Sequence, residues 1–330
     1  MPDPIIGQLK SSPIIHRHAG NPVLSAGDVP YKAALIFNAG VTRFQGRYVM
    51  VFRNDYGSLE NHTLEGTNIG LAFSDDGVHW DVSPRPCFKM NDEEVNRAYD
   101  RRLTVMDGRC YMCFAVDTRH GLRAGIAVTD DFDRFEVVSL SAPDNRNTVL
   151  LPEKIAGKYV QLERPMPVYS RGRDRFDIWA SDSPDLKYWG STGLVLAVEQ
   201  VPFANNKLGP GAPPVKTPKG WLTTFHAVDL DPNRGKHGWE PSWLKRYTAG
   251  IMLLDLENPW KVIGYSREPL LVPEAPYEVD GGFRNNVIFP GGMILEDSGE
   301  VKIYYGASDT VECLATADVG DLLDLCTPPR

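Results

Sequence analysis

Long hydrophobic runs are missing from this chain: none of its 330 residues falls in a stretch approaching the ~20 apolar residues of a membrane-spanning helix. The opening Met1-Pro-Asp-Pro-Ile-Ile-Gly-Gln-Leu-Lys10 has neither a basic start nor a long apolar core, so no secretory signal is expected. Cysteine is scarce and odd in number, five in all, with Cys110, Cys113 and Cys313 inside apolar runs. A disulfide framework is thereby disfavoured, and a reducing, cytoplasmic setting is the expectation. Positive charge is also in deficit: 35 Lys and Arg against 43 Asp and Glu leave a net charge of -8. With no basic stripe interleaved with aromatics, a nucleic-acid partner is not expected, and any anion must be caught by a local cluster. His16, His18, His62 and His79 have no Cys or second His at ligand spacing, which argues against zinc. Gly-rich nucleotide loops are absent, and Asp229-Leu-Asp-Pro-Asn233 reads as a turn rather than a calcium site. No low-complexity linker divides the chain, so residues 1–330 are expected to form one domain, with 1–32 as an N-terminal extension packed on it.

What is present is a repeat. An apolar run opening on an aromatic or β-branched residue recurs at Tyr48–Arg53, Tyr111–Val116, Tyr159–Arg164, Trp221–His226 and Val301–Tyr305. A glycine precedes each, at Gly46, Gly108, Gly157, Gly220 and Gly299. A second run closing on an acidic turn follows each one, at Ile69–Asp76, Ala124–Asp131, Phe176–Ser183, Ala249–Leu256 and Cys313–Val319. Strand, turn, strand and acidic turn, repeated with no helical pattern between copies, predict an all-β, five-bladed β-propeller with an axial pocket. Ser74-Asp-Asp-Gly-Val-His-Trp80 looks like the Asp-box turn of other propellers, a structural turn on a blade edge.

Polar residues where the runs end are the ones to weigh. Arg53, Arg164 and His226 close the first run of their copies in one register; Asp117 lies one residue later in the second copy, and Asp309 a few residues past the fifth. Each alone reads as a solvated rim residue, but charges ending several mostly apolar strands are costly to bury unless paired or bound to ligand. The segment Arg97-Ala-Tyr-Asp-Arg-Arg-Leu-Thr104 carries Asp100, which could cap a turn, pair with Arg101 or Arg102, or act as a general acid. Arg146 and Lys207 precede the third and fourth copies, and meeting at one axis they would form a phosphate or carboxylate clamp. The acidic Asn91-Asp-Glu-Glu94 reads as a solvated loop, although Glu93 or Glu94 would supply the water-activating base of a hydrolase. The stretch Asp229–Lys245, with Arg234, His237, Trp239 and Trp243, suits either acceptor stacking or a packed surface loop.

Eight ordered segments carry a family resemblance: Asn38-Ala-Gly40, Phe52-Arg-Asn-Asp55, Tyr99-Asp-Arg-Arg102, Asn145-Arg-Asn147, Lys207-Leu-Gly-Pro-Gly211, Gly220-Trp-Leu222 with Phe225-His226, Tyr247-Thr-Ala-Gly250 with Leu253-Leu-Asp255, and Tyr304-Tyr-Gly-Ala-Ser-Asp-Thr310. In order and approximate spacing they resemble glycoside hydrolase family 130, five-bladed propellers that are chiefly β-mannoside phosphorylases. The resemblance implies inverting phosphorolysis of a terminal β-mannosyl unit to α-mannose 1-phosphate and a shortened acceptor. It implies that Asp100 is the acid, working through a hydroxyl of the mannosyl ring. By the same resemblance Arg146, Arg164, Lys207, His226 and Tyr247 hold phosphate, while Asn38, Arg53, Asp55, Tyr99 and Asp309 hold the sugar. Inorganic phosphate is then a co-substrate, and neither metal nor organic cofactor is implied. A homo-oligomer is compatible with the resemblance.

The chemistry agrees. Inverting hydrolysis needs a second carboxylate ~6.5–9.5 Å from the acid to activate water, whereas phosphate is already a nucleophilic anion and needs donors that hold it in line. All five family donors are present. The alternatives are a hydrolase in the same pocket and a non-catalytic carbohydrate-binding propeller. One departure stands out: Arg101 follows the acid where the family has Pro, which predicts a looser segment or an added charge beside Asp100. Linkage, 1,2 or 1,4, and acceptor are not fixed by these residues.

Overall fold

A computed structural model describes residues 8–90, 93–167, 172–234, 238–240 and 243–329. His237, Asn91 and Asp92 lie outside the described residues. The apolar runs become strands buried on both faces, and five antiparallel sheets result, in chain order around an axis. Blade one is Leu35–Phe44, Arg47–Ser58, Thr63–Ser74 and Asp81–Val82. Blade two is Val95–Met106, Arg109–Thr118, Gly121–Thr129 and Glu136–Leu140. Blade three is Asn145–Leu150, Tyr159–Pro165, Ile178–Ser183 and Gly190–Leu196. Blade four opens with Lys207–Pro210 and Val215–Thr217, then Gly220–Leu230, Lys245–Leu254 and Val262–Tyr265. Blade five is Ile288–Leu295, Glu300–Ala307 and Val311–Asp318, completed by His16–Arg17 from the other end of the chain.

That last pairing closes the ring. Arg17 donates from Nε and Nη2 to the two carboxylate oxygens of buried Glu278, at 2.8 and 2.9 Å, and from Nη2 to the Val272 carbonyl at 2.6 Å. Glu278 also accepts from the Tyr305 hydroxyl and from the backbone of Glu274 and Ala275, so the closure is a satisfied buried network.

The repeat has two physical sources. Phe52, Phe114 and Phe225 lie opposite Gly70, Gly125 and Gly250 on the next strand. A Cβ at those glycines would sit 2.0, 2.4 and 2.2 Å from the ring, so the aromatic of the first run dictates the glycine of the second. Burying each Phe stabilises by roughly 1.5–3 kcal/mol. The acidic turns recur for a different reason: Asp76, Asp131, Asp185 and Asp255 each accept from the backbone N–H groups two and three residues on.

One expectation needs correcting. The first runs are the second strands of their blades, not the strands at the axis. The axial strands are those that open each blade and touch their neighbours around the ring. They escaped the repeat because their periodicity breaks. Pairing with the second strand shifts between Phe37 and Gly40, between Tyr99 and Arg102, and between Arg146 and Val149. Within these bulges Asn38, Asp100 and Asn147 take φ of 53°, 53° and 56°. A bulge re-aims a side chain and disrupts the alternation by which a strand is read.

Candidate active site

The three bulges deliver their side chains to one end of the axis. There a cavity of ≈ 180 Å³ is lined by Asn38, Arg53, Tyr99, Asp100, Arg146, Tyr247 and Asp309 among others. Asp100 is its centre. Asn38 Nδ2 donates to Asp100 Oδ1 at 3.0 Å, Arg146 Nη2 to Oδ2 at 2.8 Å, and Arg53 Nη1 stands 3.6 Å from Oδ1. Its partners are thus from blades one and three, not the adjacent Arg101 or Arg102. Burial pushes the carboxyl up, but Arg146, then Arg53, the Asn38 bond and Arg102 together outweigh it and hold it at about 2.

Arg53 is itself fixed by a bidentate pair with Asp55, at 2.9 and 2.6 Å, and lies over the rings of Phe37 and Tyr99. Thr67 donates to Asp55 at 2.6 Å, so Asp55 sits behind Arg53 and orients it. Tyr99 gives its hydroxyl to Asp117, which also takes Nε of Arg97. Asp309, at φ 50°, receives Arg284 Nη1 at 3.1 Å; burial raises its carboxyl despite that partner and Arg53.

A second group, of cations and donors, lies deeper between blades three and four. Arg146 and Arg164 are directly opposite on neighbouring strands of blade three, an arrangement that repels. Lys207, Val228 and Tyr247 form one row across blade four, and His226 lies two residues from Val228 on the same face. Gly209 faces His226, and a Cβ there would be 2.3 Å from the imidazole, so the glycine of the Lys207–Gly211 segment makes room for the ring. Asn147 Nδ2 lies 3.4 Å from His226 Nε2; an amide N–H can only donate, which leaves the neutral ring's proton on Nδ1. That Nδ1 has no hydrogen-bond partner, nor has Arg164 Nε or Arg102 Nη2, all buried. Burial, then Arg164, Lys245 and Arg146, pushes the Lys207 ammonium down to about 6. Burial and the neighbouring arginines Arg164 and Arg102 push His226 well below the usual imidazole range. Arg164 falls to about 9 through burial and Arg146. Cations that repel one another, with buried donors aimed at no acceptor, are a site for an anion.

Several expectations meet the structure here. Trp243 is buried, donates Nε1 to the Asn285 carbonyl, stacks on Tyr247 and borders the cavity. Trp239 packs on His62 and Phe283 instead. Glu94 pairs with His120 at the surface, and neither Glu93 nor Glu94 lines the cavity. Arg101 does not enter the site: wholly buried, it lies over Phe88 beside Cys87 with none of its three guanidinium nitrogens hydrogen-bonded. Leu64, Arg97, Phe283, Arg284, Val287 and Phe289 line the cavity without having been singled out for it; all six lie outside the repeated runs, and only proximity in space reveals them.

With this geometry in hand, relatives sharpen its meaning. The sequence profile of glycoside hydrolase family 130, described as beta-1,4-mannooligosaccharide phosphorylase, matches residues 11–328. The chain belongs to glycoside hydrolase family 130. A beta-1,4-mannooligosaccharide phosphorylase of Ruminococcus albus is 33% identical over 94% of this chain and 90% of its own. A 1,2-beta-oligomannan phosphorylase of a Thermoanaerobacter species is 31% identical over 93% of this chain and 98% of its own. The solved beta-1,2-mannobiose phosphorylase of Listeria innocua, in complex with beta-1,2-mannobiose, superposes with a TM-score of 0.80 at 25% identity, covering 94% of this chain and 99% of that one. This family-130 chain is therefore an enzyme, of the glycosyltransferase-type glycoside phosphorylases.

Proposed function

We propose that the chain is an inverting β-mannoside phosphorylase acting in the cytosol on terminal β-mannosyl units of short manno-oligosaccharides, with inorganic phosphate as co-substrate. The observation that carries this reading is the donor set of Arg146, Arg164, Lys207, His226 and Tyr247 beside Asp100, in which, among the described residues, only Arg146 has a carboxylate partner. An anion placed among them relieves the repulsion between Arg146 and Arg164 and meets the orphaned Nδ1 of His226 and Nε of Arg164. The sugar would occupy the open part of the cavity, between Asn38, Arg53, Tyr99 and Asp309. Five unpaired thiols agree with a reducing location.

In this mechanism a phosphate oxygen attacks the anomeric carbon as the bond to the glycosidic oxygen breaks. Asp100 delivers a proton to a mannosyl hydroxyl, whose own proton passes to the leaving oxygen. Held at about 2 by its cationic neighbours, Asp100 must first gain that proton. Phosphate supplies the means: it draws charge from Arg146, the cation nearest Asp100, and the hydrogen phosphate dianion passes its proton to Asp100 before attack, so that the attacking phosphate ends as the monoester dianion and the proton ends on the acceptor. Asp309 is occupied by Arg284, and no other carboxylate among the described residues stands in the cavity free to activate water. The reading is tested by incubating the enzyme with β-1,2- and β-1,4-mannobiose with and without phosphate. Mannose 1-phosphate must form only with phosphate; equal release of mannose in its absence sinks the proposal in favour of hydrolysis.

A further inference from the structure

Lys245 opens the third strand of blade four, two residues before Tyr247, so both side chains stand on the face that carries Lys207 and His226. Half-buried at a strand end, it has room to turn its ammonium to solvent. Instead the ammonium lies over the Trp243 ring at 5.5 Å, and Trp243 stacks on Tyr247. Lys207 in turn lies over Phe176 and Tyr247, at 5.3 and 5.9 Å. Among the described residues neither lysine forms an ion pair with a carboxylate, and Glu240, whose charge acts on Lys245, is itself held by Arg284. Two amines on one aromatic stack and one sheet face, with Arg164 and Arg146 beyond Lys207, repel unless one is discharged or an anion lies between them.

Resting on the phosphorylase reading, we propose that Lys245 is a sixth phosphate-holding side chain, closing the solvent side of the donor set over the bound phosphate. The charged groups acting on it are Lys207 on blade four, Arg164 on blade three, and Arg284 with Glu240, while Tyr247 shares its strand face and Arg146 acts on Lys207. Burial and Arg284 both lower its ammonium, a cost that phosphate beside it would relieve.

The test compares wild type, Lys245→Met and Lys245→Arg in steady-state phosphorolysis and in calorimetric titration with inorganic phosphate. Loss of one charge-assisted hydrogen bond should weaken phosphate affinity and raise its KM about 10- to 100-fold in Lys245→Met. The KM for the mannoside should stay within about twofold, and Lys245→Arg should recover most of the phosphate affinity. Unchanged phosphate KM in Lys245→Met, or a parallel rise in both KM values, overturns the inference while wild type still requires phosphate. A wild type that binds no phosphate and releases mannose without it overturns the phosphorylase reading itself.

Discussion

Lys207 carries a lowered ammonium, which makes phosphate binding at alkaline pH a proton-uptake reaction. Burial, Arg164, Lys245 and Arg146 bring its ammonium to about 6. At pH 8, two pH units higher, only about one Lys207 in a hundred carries its proton, and charging it costs about 3 kcal/mol. Bound phosphate dianion restores the value toward that of an ordinary lysine, so binding at pH 8 should take up close to one proton. Phosphate is already mainly a dianion there and supplies none. Below pH 5 Lys207 is protonated beforehand and the uptake disappears; above pH 6 the Lys207 contribution lowers affinity by up to about tenfold per pH unit. Calorimetric titration with phosphate at pH 8, in two buffers of different ionisation enthalpy, reads the number of protons directly. Lys207→Met should bind more weakly and take up none, and Lys245→Met should reduce the uptake by removing one of the charges that discharge Lys207. Buffer-independent enthalpy in the wild type, or an undiminished uptake in Lys207→Met, would refute the reasoning.

Other outcomes follow from single contacts. Asp100→Asn should lower kcat/KM about 10²- to 10⁴-fold for a natural mannoside; near-wild-type rates would remove Asp100 from the mechanism. Arg101→Met should raise stability by about 1–4 kcal/mol in urea titration, because it replaces a buried guanidinium lacking any hydrogen bond; a lower midpoint would mean that Arg101 has a partner in solution. Gly209→Ala, whose Cβ would stand 2.3 Å from His226, should displace the imidazole and raise the phosphate KM by about tenfold or more, with the fold retained by circular dichroism. An unaffected KM would place His226 outside phosphate binding. Arg17→Met leaves buried Glu278 without its cation and should destabilise the ring closure by about 3 kcal/mol in denaturant unfolding, whereas a loss near zero would show that the outer strand of blade five closes the ring without this pair.

Local rules make much of this protein legible. Phe52, Phe114 and Phe225 with their facing glycines, and the aspartates that cap the acidic turns, are dictated by contacts between neighbouring residues and strands, so they recur in the sequence and reveal five blades. The eight ordered segments likewise mark eleven candidate residues, seven of which line the cavity while Asp55, Arg164, Lys207 and His226 stand behind it. The axial strands were harder to read, because the bulges at Asn38, Asp100 and Asn147 erase the alternation that identifies a strand. Arg284 and Lys245 escaped for a different reason: each owes its place to residues far away in the chain.

The sequence by itself determined the repeating strands, their turns and the identity of the charges. Tertiary structure alone decided which charges meet. Asp100 has Arg101 and Arg102 beside it in sequence, yet its bulge turns it to the axis, where it pairs with Arg146, 46 residues away, and faces Arg53. Arg101, one residue on, turns between blades and stays unpaired. A pairing of side chains from three blades depends on where the closed ring brings those strands, and no local pattern of residues records it.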